Sequence, residues 1–180
     1  LKAEKGERSP FYSIQCERVS LWPRWSDPMQ SNTARIQSMN ELIELYRTCY
    51  LDSAQYFADD LLSFIESFGD RERWSKALLL KAEILVDQNK HDEAIELCKR
   101  ASKIYPDDSW LSAKGELVSA KAYFGMSDDD KAKKLLRKSL FLFSKLDDRS
   151  EMATAYNVMG LIFSRSNEVD SALFYFGQCK

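Results

Sequence analysis

Small residues recur along this chain at a nearly constant distance, and that period constrains the fold more than any other feature. Ala82, Ala120 and Gly160 stand 38 and 40 residues apart, and Ala94, Ala132 and Ala172 follow each of them by 12. All six fall on helical faces that would otherwise carry large apolar groups. A methyl group buries little area, so small residues there mean that another backbone passes closer than a leucine would allow. A period of this length is the mark of stacked supersecondary units, each unable to bury its own apolar face.

Each unit reads as an amphipathic helix, a short polar turn and a second amphipathic helix. The turns are "DQNKHD", "GMSDDD" and "RSNEVD". Their Asp, Asn and Ser side chains bond free backbone amides, which favours turns and helix starts. Loops this short force the two helices to run antiparallel. In "YPDDS", Pro106 ends one unit, and Asp108 or Ser109 can cap the next.

These residues resemble the tetratricopeptide repeat. Leu78, Ala82, Leu85, Ala94, Ala101 and Pro106 fit one copy; Ala120, Tyr123, Ala132, Leu136 and Ser139 a second; Tyr156, Met159, Gly160, Phe163, Ala172 and Phe176 a third. The resemblance implies an all-α, right-handed solenoid of about four antiparallel helix pairs, with repeats at 75–108, 113–148 and 153–180. Residues 34–70 are expected to form a divergent first pair, with Ala54 at a small-residue position but Leu42 and Leu61 where smaller residues belong. Steps of 38 and 40 exceed the family's basic 34, so the second helices are expected to be about one turn longer.

Residues 1–33 do not fit the repeat. "SPFYSIQCERVSLWPRWSDPMQSN" holds three prolines and two tryptophans and argues against one regular helix. It is expected to be an irregular arm packing its aromatics onto the repeats. The chain opens on Leu1 and stops at Lys180, barely past the last small-residue contact, which suggests a fragment whose final helix needs a covering partner or a second copy.

Composition narrows the function classes. Hydrophobic residues make up 44% and aromatics 12%, as in ordered globular chains, and the net charge of −2 gives no basic excess to seek nucleic acid. No apolar run approaches the ~18 residues of a membrane span, and "LKAEKGERSP" has no signal-peptide core. Cys16, Cys49, Cys98 and Cys179 are widely spaced and read as reduced thiols, which points to the cytoplasm or nucleus.

Chemistry is not visible in the sequence. The single histidine, His91, sits in a turn, where capping or solvation accounts for it, and rules out a multi-histidine metal cluster. The glycines form no phosphate-cradling loop. Ser127 to Asp130 lacks the ligand spacing of a calcium loop and reads as a helix cap. "KAKKLLRK", from Lys131 to Lys138, reads as a solvated outer face. No catalytic, cofactor-binding or metal-ligating residue is assigned.

Binding therefore carries the function. The resemblance implies a concave groove lined by the first helix of each repeat, at Leu79, Leu80 and Glu83, then Leu117, Val118 and Lys121, then Asn157, Val158, Leu161 and Arg165. Leu79, Glu83 and Val118 stand where relatives that clamp chaperone tails need cationic or amide side chains, so that clamp is absent. A groove apolar at its centre suits an apolar helix or extended segment. The expected function is a non-enzymatic scaffold or adaptor within a multi-protein assembly, with a peptide-sensing regulator as the alternative. "SAQYFADDLLSF" is similar to the early repeats of the scaffold subunits of the anaphase-promoting complex. Protein or peptide partners are expected, and neither nucleic acid nor membrane.

Overall fold

The computed structural model describes residues 20–179. The chain divides into two compact units, residues 1–64 and residues 65–180. The expectations for Cys16 and for the arm before residue 20 lie outside the described residues.

In the first unit, residues 20–26 are helical (α1), followed by α2 (Asn32–Arg47) and α3 (Leu51–Glu66). The helical stretch at 20–26 departs from the irregular arm expected there. Leu21 and Trp25, four residues apart, share one helix face and are both buried, and this spacing outweighs the proline at position 23. The Trp25 ring meets Phe64 edge-on at 4.9 Å, and Trp22 lies 5.9 Å from Phe57. Arg35 ties the segment down, donating from Nε to the Trp25 carbonyl at 2.8 Å while its guanidinium lies over the Phe64 ring. Ala54, Leu42 and Leu61 are all buried in this pair.

The second unit is an all-α solenoid of helix pairs: α4 (Arg71–Asp87) with α5 (His91–Ile104), α6 (Ser109–Gly125) with α7 (Asp129–Leu146), and α8 (Arg149–Arg165) with α9 (Val169–Gly177). Among the described residues there is no strand. The turn inside each pair is one structure repeated three times. Asn89, Ser127 and Asn167 adopt left-handed conformations with φ of 61°, 63° and 60°. The next amide reaches back across the helix end: Lys90 to Leu85 at 2.8 Å, Asp128 to Tyr123 at 2.9 Å and Glu168 to Phe163 at 2.9 Å. This is the Schellman closure, which satisfies the last carbonyls and reverses the chain. Asp70, Asp108, Asp128 and Asp148 then cap helix starts with their carboxylates.

The longer period arises differently in different units. α7, at 18 residues, carries the extra turn expected of the second helices, while α5 has 14. The first repeat instead lengthens its exit, where Pro106 prevents α5 from continuing. His91 does not cap α5 and is half-buried. Lys90 holds the cap position, and the imidazole lies against Gly125, where a Cβ would collide with the ring.

Ala82, Ala94, Ala101, Ala120, Ala132 and Ala172 are all buried. At Gly160 an added Cβ would stand 2.5 Å from Cε1 of Phe176. Around these contacts Leu117, Leu136, Phe143, Val158, Met159 and Ile162 join α6, α7 and α8 in one core. Phe176 thus faces inward, whereas Leu173 and Phe174 of α9 are 64% and 61% exposed.

Two outcomes follow from this packing. Ala94→Leu and Gly160→Leu should each lower stability by about 1–3 kcal/mol through overpacking, read as a lower urea midpoint. Burial pushes the Cys98 thiol up to about 12, outweighing the hydrogen bond it shares with Ser119. Iodoacetamide at about pH 8 should therefore label exposed Cys49 and spare Cys98 until the chain is unfolded, as mapped by mass spectrometry.

Candidate protein-interaction face

The first helices of the three pairs, α4, α6 and α8, carry every residue expected to line the groove. Much of its expected apolar centre is closed. Leu79, Leu117, Val118 and Val158 are buried and present no surface to a ligand. Leu79 lies against the next first helix, with Cδ2 3.8 Å from where a Cβ on Gly115 would be, and Leu117 and Val158 belong to the shared core. The neighbouring helices come so close that these positions serve the stack. Leu80 and Lys121 remain partly exposed, and Asn157, Leu161 and Arg165 are at the surface.

The polar residues of this face form a network across all three helices. Glu83 is buried on α4, and Lys114 of α6 stands between it and Glu151 of α8, with Nζ 3.0 Å from Glu83 Oε1 and 2.6 Å from Glu151 Oε1. Lys121 adds a longer contact to Glu83 at 3.4 Å. Burial alone would pull the Lys114 ammonium down, but the charge of Glu83 and the hydrogen bond and charge of Glu151 outweigh it and hold it above the ordinary lysine range. Asp148 links α6 and α8, taking the Trp110 indole N–H at 3.0 Å while capping α8.

Arg165 is already engaged. It donates from Nη1 to the Phe124 carbonyl at 3.0 Å, pairs with Asp129 through Nε and Nη2, and covers the Phe124 ring at 4.1 Å. It therefore fastens the end of α8 to the α6–α7 turn, and a partner would have to displace these bonds to use it.

Residues 75–108 match the family profile of the tetratricopeptide repeat. That segment is a tetratricopeptide repeat. No curated protein matches the chain significantly in sequence. Among solved structures, BtubC (BKLC) from P. vanneervenii is similar over 96% of this chain and 73% of its own, with a TM-score of 0.70 and 17% identity. MamA is similar over 94% of this chain and 86% of its own, with a TM-score of 0.52 and 15% identity. At these identities the likeness is one of fold. The helix pairs after the tetratricopeptide repeat at 75–108 reproduce its turn, with a left-handed residue at the same place and the same closing bond.

Lys114 and Glu151 have no assigned role in the sequence, and only the stacked helices bring them together. The available signal was alternation of charge between successive first helices, Glu83 then Lys114 then Glu151. No group of three or more His, Cys, Asp or Glu able to hold a metal is gathered among the described residues. No helix among them is long and apolar enough to cross a membrane.

Removing one member of a buried ionic group strands the others. Lys114→Met should cost about 3 kcal/mol in urea unfolding, and replacing Glu83, Lys114 and Glu151 together by apolar residues of similar size should recover most of that loss.

Proposed function

We propose that this chain is a non-enzymatic protein-interaction scaffold that receives a partner segment along the exposed edge of α4, α6 and α8. The observation that carries the reading is the tetratricopeptide repeat at 75–108, a repeat type that generally binds protein partners. Leu161 supports it, since 41% of this leucine is exposed at a groove position beside the exposed amide of Asn157. An apolar group has no role in a purely solvated channel and can anchor an incoming side chain.

The burial of Leu79, Leu117, Val118 and Val158 revises the ligand. A broad apolar helix has too little surface to rest on. An extended segment, with one apolar residue at Leu161 and polar groups over Lys121 and Asn157, fits what is reachable. Membership of a multi-protein assembly remains part of the proposal, because a preformed ionic floor suits a fixed docking surface.

The test is co-purification with crosslinking mass spectrometry on the full chain. Crosslinks to partner should fall on Lys76 and Lys121, and Leu161→Asp should weaken capture about tenfold or more with helix content unchanged, while Lys103→Gln on α5 should have little effect. Undiminished capture by the Leu161 variant would rule out this face as the site.

A further inference from the structure

A second surface lies on α7. From Lys131 to Leu146 this helix holds six basic residues and no acid. Its buried stripe is Ala132, Leu136, Ser139 and Phe143. At 100° per residue, Lys134, Arg137, Lys138, Phe141 and Lys145 fall on the opposite side, and all five are exposed.

The charges on this helix are unequally satisfied. Lys131 pairs with Asp128 at 2.7 Å, Lys138 with Glu116 at 2.8 Å, and Lys133 rests over the Phe163 ring. Lys134 and Arg137 have no ion pair or hydrogen bond from their side chains among the described residues. Between them and Lys145 stands Phe141, 59% exposed, with the Lys145 ammonium 4.2 Å from its ring centre. A solvated helix face gains nothing from an exposed phenylalanine, whereas an aromatic flanked by unpaired cations offers both an apolar anchor and an electrostatic guide.

We propose that this face of α7 docks a short acidic segment of a partner protein, extended and bearing one apolar residue that covers Phe141. The complementarity lies in sign, in a chain whose net charge is −2. The ends of the stripe select the class of partner. Exposed Asp130 and Asp147 flank it, so a continuous anionic plane or strand, such as a lipid surface or a nucleic-acid backbone, would press its charge against both. The cationic run from Lys134 to Lys145 is about 17 Å long, which matches about five residues of extended chain. This surface is separate from the face of α4, α6 and α8 and does not depend on it.

The test uses the full chain and a fluorescein-labelled heptapeptide with a central phenylalanine flanked by three glutamates on each side, followed by anisotropy. Saturable binding is expected, weakening at least about tenfold between about 50 mM and about 300 mM salt. The glutamine version of the peptide should not bind. Lys134→Glu with Arg137→Glu should abolish binding, Phe141→Ala should weaken it about tenfold, and Leu161→Asp should leave it unchanged, each variant being checked for retained helix by circular dichroism. The proposal is overturned by absence of saturable binding, by α7 variants that bind as well as the parent, or by tighter binding to phosphatidylserine vesicles or a single-stranded oligonucleotide than to the acidic peptide.

Discussion

Helix pairs can stack in residues 65–180 because one side of their closest contacts carries nothing larger than a methyl group. Ala82, Ala94, Ala120, Ala132 and Ala172 are buried, and Gly160 leaves the space that Phe176 fills. Everything else is arranged around that closeness. Turns of the same left-handed geometry at Asn89, Ser127 and Asn167 reverse the chain within each pair. The repeat can therefore vary in length outside the contacts, through the longer α7 or the proline-ended exit of α5, without losing its register.

The same closeness decides the chemistry of the interaction face. When first helices lie near enough for Leu79 to rest on the backbone at Gly115, the apolar positions between them become interior. Polar residues caught in that seam must then be paired, because an unpaired buried charge costs several kcal/mol. Lys114 meets that demand for Glu83 and Glu151 together and joins three helices through one ammonium group. The floor of the face is thus electrically settled, and the groups left for a partner lie at its edge, at Leu80, Lys121, Asn157 and Leu161. On α7 the balance differs, since its outward cations outnumber the acids within reach.

The helical repeat, its period, the antiparallel pairing and the tetratricopeptide repeat at 75–108 were legible in the amino-acid sequence. Each rests on local rules: small residues at fixed spacing, turn-forming Asn, Asp and Ser, and a proline that stops a helix. The acidic run at Ser127 to Asp130 was legible for the same reason, since Asp128 caps α7 as a short polar side chain before a helix does. Tertiary structure alone decided which groove positions are surface. Leu117 and Leu161 look alike in sequence, yet the first is in the core and the second is exposed. Leu117 lies in the core shared by α6, α7 and α8, whereas Leu161, at the repeat position of Lys121, lies at the edge. Likewise, Arg165 reads as a free cation until α8 is laid beside the α6–α7 turn. Burial and ion pairing depend on residues 30 to 40 positions away, and a periodic pattern states that such neighbours exist without stating their distance.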